Sequence, residues 1–320
     1  MDLTGPLERF AAAVGPAGPV TCVGGRTQWD VGGPVDPGAV EVSAPAGVVA
    51  HEPGEMIVRV RAATTVAELA EATAVGGQFV ALEADHPEQA TVGGVLACGR
   101  SGLRRLGWGP VRDSVLEVTV VDSTGSLVRA GAPLVKNVTG FDLCRLMVAS
   151  VGTLGFLAEV VLRCRPRPEV ERWWQGDGVD PFPLFASLYR PLAVLWDGSR
   201  TWVGLAGYRA DVEDQAAALL DGRFTAVEGP PARPGPARRS LAPAELRSVP
   251  EATGGAGRWL AEVGVGMLHC DPEAARHLPG PRPSEVVADL HRRVKARFDP
   301  DGRLNPGRSA LAPAAPEPAR

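Results

Sequence analysis

The 320-residue sequence predicts an α+β protein of two domains, and three features carry that reading. Strand-like apolar runs mix with helical stripes through the first half. Two glycine-rich turns, at Gly24-Gly25 and Gly93-Gly94, join such elements tightly. The segment Arg165-Pro166-Arg167-Pro168 then breaks the pattern, because proline lacks an N–H and fixes φ, and it marks a domain boundary.

The elements follow in order. Leu3, Leu7, Phe10 and Val14 form a helical stripe that stops at Gly15-Pro16. Val20 to Val23 is a short strand running into the first glycine turn, and Met56 to Arg61 alternates as a strand. Thr65-Val66-Ala67-Glu68 is a capping box that opens a helix through Ala74, closed by Gly76-Gly77. Phe79 to Leu82 and Val115 to Val121 read as strands, and Asp122-Ser123-Thr124-Gly125 turns the chain back into Leu127-Val128. Leu146 to Leu162 is the most apolar stretch. Gly152, Gly155 and Glu159 interrupt it, so it reads as a buried helix-turn-strand ending in the strand Gly155 to Arg163, not as a membrane span.

Past the boundary, Ala193 to Trp196 and Thr201 to Tyr208 make a hairpin about Asp197-Gly198. Asp211 to Leu220 reads as a helix, and Phe224 to Val227 and Trp259 to Leu268 as strands. Residues 229–243, rich in Pro, Ala, Arg and Gly, read as a mobile loop. Ser284 to Phe298 is an amphipathic basic helix.

The bulk numbers exclude several classes. An apolar fraction of 45% and a charged fraction of 22% are those of a globular protein. A net charge of −4 gives no electrostatic case for nucleic acid. Five widely spaced cysteines with no C-x-x-C pair argue against a disulfide framework or a metal cluster and suit a cytoplasmic setting. The N-terminus has no basic region followed by an apolar one, so no signal peptide is expected. The five histidines lack metal-ligand spacing. His51 and His86 sit in turn-like segments. His269-Cys270 ends a predicted strand, where a substrate or the core could meet it.

The richest motif is Ala90-Thr91-Val92-Gly93-Gly94-Val95-Leu96-Ala97-Cys98-Gly99, with Ser101-Gly102, Gly107 and Arg112-Asp113 behind it. Without side chains at Gly93 and Gly94, backbone N–H groups at a helix start can approach a pyrophosphate. Cys22-Val23-Gly24-Gly25-Arg26-Thr27-Gln28-Trp29 makes a second such turn upstream. Three further pieces stand out: Val135-Lys136-Asn137-Val138-Thr139-Gly140-Phe141-Asp142-Leu143, Gly152-Thr153-Leu154-Gly155-Phe156-Leu157-Ala158-Glu159, and Arg297-Phe298-Asp299-Pro300-Asp301-Gly302-Arg303-Leu304-Asn305-Pro306-Gly307.

As a set these motifs resemble the FAD-binding, PCMH-type oxidoreductases of the vanillyl-alcohol oxidase superfamily, and within it the small FAD-binding subunits of bacterial glycolate oxidases. The resemblance is dense over residues 20–165, nearly absent over 170–285, and returns at 291–308. It implies a two-lobed FAD-binding domain over residues 1–165, with FAD between a small sheet and a larger one. A smaller α/β cap over 166–296, a C-terminal return at 297–308 and a disordered tail at 309–320 would follow. It implies that Gly24, Gly25, Arg26, Thr27 and Gln28 form the first cofactor loop. Thr91, Gly93, Gly94, Ala97, Ser101, Gly102 and Arg112 would line the flavin or its pyrophosphate, with Leu157 and Asn305 completing the site.

Three departures from the family pattern matter. Thr27 stands where covalent flavoproteins often carry a histidine, so FAD is expected to be non-covalent. Arg26 replaces a glycine, which costs about 1 kcal/mol or more if its φ is positive; otherwise it is free to meet phosphate. Cys98-Gly99-Arg100 also replaces a more usual stretch.

The function implied is a flavin-binding subunit of a 2-hydroxy-acid (glycolate) oxidase or dehydrogenase. Its partners would be a larger flavoprotein subunit and an iron–sulfur subunit, which could bring it to the inner membrane peripherally. The alternative is a non-catalytic interaction subunit with weak or no FAD. A cell-wall precursor reductase of the same fold is disfavoured by the Leu304-Asn305-Pro306-Gly307 ending. No catalytic residue is assigned.

Overall fold

The computed structural model describes residues 5–133, 142–219, 222–249, 253, 256–278 and 283–312. The expected motif at Val135 to Phe141 and residues 313–320 of the expected tail lie outside them. The chain forms two compact units. One comprises residues 1–102, 110–167 and 283–320, and the other 103–109 and 168–282. The chain passes from the first unit to the second between Arg167 and Pro168. The C-terminal helix, expected in the cap, belongs instead to the first unit, and 103–109 belongs to the second.

In chain order the elements begin with α1 (Pro6–Val14), β1 (Val20–Cys22), β2 (Val40–Val42), β3 (Val48–Glu52), β4 (Ile57–Arg61), α2 (Val66–Ala74), β5 (Gln78–Phe79) and α3 (Val92–Cys98). Then come α4 (Arg105–Trp108), β6 (Val115–Val121), β7 (Leu127–Gly131), α5 (Leu143–Met147), β8 (Phe156–Arg163) and β9 (Arg165–Pro166). The second unit continues with β10 (Val170–Asp177), α6 (Pro181–Ser187), β11 (Ala193–Trp196), β12 (Arg200–Gly207), α7 (Arg209–Leu219), β13 (Phe224–Val227), β14 (Ala237–Ser240), β15 (Trp259–Glu262) and β16 (Met267–Cys270). The last helix is α8 (Glu285–Phe298).

The first unit is built on an antiparallel five-stranded sheet, ordered β3-β4-β8-β6-β7. Its central strand β8 is buried along nearly its whole length, which explains its largely apolar sequence; the one carboxylate inside it, Glu159, pairs with Arg59 at 3.1 Å. One face packs Val58, Val60, Val118, Val120, Val160 and Leu162 against Leu69 of α2 and Val92, Val95 and Leu96 of α3. At one end of the sheet, Val121, Phe156 and Ala158 meet Phe10 and Val14 of α1, Val20, Val42 and Leu304. Burying each of the larger side chains stabilises the fold by roughly 1.5–3 kcal/mol. The capping box forms as expected: Thr65 Oγ1 accepts from the Glu68 N–H at 3.1 Å and Glu68 Oε2 from the Thr65 N–H at 2.8 Å.

The two strands of the smaller sheet, β1 and β2, run parallel. The C-terminal return closes on them: Leu304 bridges to Val20, and the Asn305 N–H donates to Val20 O at 2.8 Å. Arg303, which is buried, fixes that return. Its guanidinium donates to Val14 O (2.7 Å), Ala17 O (3.0 Å), Gly18 O (2.9 Å) and Ser123 O (3.0 Å). Lys295 of α8 ties the same segment from the other side, donating to Thr153 O, Leu304 O and the buried carboxylate of Asp299.

The second unit holds a seven-stranded antiparallel sheet, ordered β13-β10-β12-β11-β15-β16-β14. Two expectations are corrected here. The run from Trp259 to Leu268 is not one strand but a hairpin, because Gly264 and Gly266 adopt φ of +83° and +78° and reverse the chain. The loop expected over 229–243 contains β14, which pairs with β16 from Ala237↔Cys270 to Ser240↔Met267. Backbone pairing supplied by the sheet overrides a weak local strand propensity.

Arg303→Ala would leave buried carbonyls without donors. It should lower unfolding free energy by roughly 3 kcal/mol or more, with Arg303→Lys recovering only part. Denaturant melts of the three proteins check this, and an Arg303→Ala midpoint equal to the parent's would contradict the role.

Candidate functional site

The first unit contains an open cleft of about 820 Å³ at the junction of its two sheets. Of the residues singled out in the sequence, Gly24, Gly25, Arg26, Thr27, Gln28, Thr91, Gly93, Gly94, Ala97, Leu157 and Asn305 line it. Ala44, Ala62, Ala63, Met147 and Phe156 add apolar wall.

Three of the expected site residues lie elsewhere. Ser101 Oγ is buried and accepts from the Val111 N–H at 3.2 Å. Gly102 makes room for Glu83, since a Cβ there would strike the Glu83 carboxylate. Arg112 is exposed and faces Asp113 at 3.8 Å.

The two glycine loops differ in what their backbones offer. In the second, the Val92 N–H donates to Thr64 O (2.9 Å), Gly93 to Ala62 O (2.7 Å) and Gly94 to Thr91 Oγ1 (3.2 Å). These amides are spent inside the protein, contrary to the expectation that they face a pyrophosphate. The glycines serve close approach instead. A Cβ on Gly93 would lie 2.8 Å from Ala62 Cβ, and one on Gly25 would overlap Gln89 O. In the first loop, the N–H groups of Gly24, Gly25, Arg26, Thr27 and Gln28 find no acceptor among the described residues. Consecutive unpaired amides of this kind make an anion-binding concavity.

Arg26 settles the question its sequence raised. Its φ is +55°, the left-handed region that glycine adopts freely. Its side chain pairs with Glu41 at 2.6 Å and lies over the Trp29 ring, 4.6 Å from the centroid. Both contacts are half-exposed and worth under about 1 kcal/mol each. They offset strain of similar size.

Asn305 is a brace as well as a wall. Its Oδ1 accepts from Thr21 Oγ1 (2.7 Å) and the Cys22 N–H (3.2 Å), and its Nδ2 donates to Val151 O (2.6 Å). The segment it holds is strained: Ala149, Val151 and Gly152 have φ of +63°, +47° and +67°. A β-branched residue in that region costs on the order of 1–3 kcal/mol. Hydrogen bonds from the Ala149 N–H to Leu96 O and from the Val151 N–H to Ala97 O keep it against α3.

Two cleft residues that the sequence reading missed are Trp29 and Arg308. The Arg308 guanidinium lies 4.1 Å from the Trp29 centroid and donates to Trp29 O (2.8 Å) and Val31 O (3.2 Å). Its Nε and the Oε1 of Gln28 are buried atoms without a hydrogen-bond partner among the described residues. Burial pushes the Arg308 guanidinium below the ordinary arginine value. The one available signal was position, directly after Asn305-Pro306-Gly307.

The histidines lie outside the cleft. His51 Nε2 meets Gln78 Oε1 at 3.0 Å, and His86 O accepts the Gln89 and Ala90 N–H groups. In the second unit, His269 is fully buried and lies 2.6 Å from Glu262, which places it in the core. Among the described residues no cluster of His, Cys, Asp or Glu could hold a metal ion.

Residues 9–131 match the FAD binding domain family. Those residues carry an FAD-binding domain. It is 29% identical to glycolate oxidase subunit GlcE of Escherichia coli (strain K12), over 94% of this chain and 95% of that one. It is 38% identical to glycolate oxidase subunit GlcD of Bacillus subtilis (strain 168), over 30% of this chain and 20% of that one. Among solved structures, an alkyldihydroxyacetonephosphate synthase superposes with a TM-score of 0.69 at 16% identity, covering 94% of this chain and 74% of the other. That likeness shows the same fold.

FAD suits the cleft on its own chemistry. The free amides of the first loop and the unpartnered Arg308 Nε are donors suited to phosphate oxygens, and no described lining residue is a carboxylate.

A pair of substitutions tests the reading of Arg26. Arg26→Ala keeps the left-handed strain and loses both side-chain contacts, whereas Arg26→Gly removes the strain. The glycine variant should therefore be the more stable of the two by about 1 kcal/mol in thermal melts. Neither should weaken FAD by more than a few-fold; a large loss in both would show that Arg26 faces the phosphates.

Proposed function

We propose that this chain is the FAD-binding subunit of a 2-hydroxy-acid oxidase or dehydrogenase acting on glycolate. The observation that carries this is its end-to-end similarity to GlcE together with a cleft stocked for a diphosphate. Bound FAD supplies the acceptor for a hydride from the carbon bearing the hydroxyl, and the protein supplies binding and orientation. Gly24 to Gln28 would hold the pyrophosphate through their amides. Ala97, Leu157 and Phe156 would give the ring system an apolar wall, and Asn305 would keep the wall in register. Thr27 gives the first loop no nucleophile suited to bonding the ring, which supports a non-covalent cofactor.

The second unit favours a subordinate role. A small carboxylate substrate needs a cation for its charge and a base for its proton. The two tyrosines, Tyr189 and Tyr208, are 76% and 69% exposed, and His269 is engaged with Glu262 in the core. No Arg, His and Tyr cluster converges among the described residues of that unit. A larger flavoprotein subunit and an iron–sulfur subunit would complete the enzyme and carry electrons onward. No described helix is long and apolar enough to cross a membrane. A cytoplasmic protein, held peripherally at the inner membrane by its partners, is consistent with that.

One observation favours the second reading, a non-catalytic subunit with weak FAD: the second-loop amides are already occupied. Purification alone and with co-expressed partners separates the two. The proposal expects a flavin spectrum from the chain in both cases, released entirely by acid precipitation, with glycolate-dependent dye reduction appearing only with partners. Colour retained in the washed pellet would overturn the non-covalent cofactor, and robust turnover by the chain alone would overturn the subordinate role.

A further inference from the structure

The cleft presents an imbalance of charge. Its only charged lining residues among those described are Arg26 and Arg308. Arg26 is neutralised by Glu41 at 2.6 Å. Arg308 has no carboxylate within ion-pair distance among the described residues. Two of its nitrogens are held by Trp29 O and Val31 O, which fixes the guanidinium plane over the indole of Trp29. The third, Nε, is buried and unpartnered while its residue lines the cleft. A buried donor without an acceptor costs on the order of 1–3 kcal/mol, a cost that a ligand oxygen removes. The loop that these carbonyl contacts anchor is the same one whose amides, from Gly24 to Gln28, are free.

We infer that Arg308 is the cation of a diphosphate subsite, acting with the first-loop amides on the FAD pyrophosphate. The C-terminal return thus supplies the counter-charge that neither glycine loop provides, and cofactor binding and chain closure are coupled. This rests on FAD occupying the cleft. A guanidinium held flat by an aromatic ring and two carbonyls is pre-organised, so it loses little freedom on binding. Arg308 is a positioning and binding residue and takes no part in hydride transfer.

The test compares FAD with riboflavin, which has the ring system but no phosphate. Each is titrated by flavin fluorescence into the full chain carrying Arg308, Arg308→Lys or Arg308→Ala, with thermal melts of the flavin-free proteins alongside. Arg308→Ala should weaken FAD by about 10- to 100-fold while leaving riboflavin within about 3-fold, and Arg308→Lys should fall between. ADP, the diphosphate without a flavin, should raise the melting temperature of the parent and not of Arg308→Ala. Parallel weakening of FAD and riboflavin would show that Arg308 only shapes the loop, and unchanged FAD affinity would show that its Nε does not meet the ligand. Either result overturns the inference. If the parent bound neither flavin nor ADP, the FAD reading itself would fall, and this assignment with it.

Discussion

Asn305 sits where three segments of the first unit meet. One amide side chain accepts from β1 through Thr21 and Cys22 and donates to the strained turn at Val151. Around it, Leu304 continues the small sheet beside Val20, and Arg303 satisfies four carbonyls from Val14 to Ser123. The cleft is therefore assembled from pieces nearly 300 residues apart in sequence. Its geometry depends on the C-terminal return being in place. Cutting that contact would release the floor of the cleft, not only a terminus.

From this constraint the division of labour between the glycine loops follows. The second loop is fixed by donating its amides to Ala62 and Thr64 and by its own Thr91 cap. Gly93 lets it lie against the strand end at Ala62, and Gly24 and Gly25 let the first loop lie against its Thr91 and Gln89, without Cβ clashes. The first loop has no such internal acceptors, so it retains unpaired donors at the cleft. Rigidity in one loop and unpaired donors in the other together make a pre-organised anion site.

Much of this was legible in the sequence where a local rule and the fold agree. Val115 to Val121, Ala193 to Trp196 and Phe224 to Val227 are the strands expected, because runs rich in apolar and β-branched residues suit sheet positions. The capping box at Thr65 needed only residues within reach of each other. Tertiary pairing was not legible. Nothing local in Ala237-Arg238-Arg239-Ser240 announces a strand, and β16 recruits it. Val263 and Val265 disguised a turn that Gly264 and Gly266 make. At the site, the glycine turns were visible in the sequence and the family resemblance pointed to Asn305, but neither could say which N–H groups already had acceptors. Arg308 was missed because its significance lies in what it leaves unpaired, a property of the folded chain alone.

Hydrogen exchange of backbone amides, followed residue by residue with and without FAD, tests the account most directly. The N–H groups of Gly24 to Gln28 should exchange quickly in the free protein and become protected when FAD is added. Those of Val92 and Gly93 should be protected in both states. Unprotected second-loop amides that FAD then shields, with no change in the first loop, would contradict it.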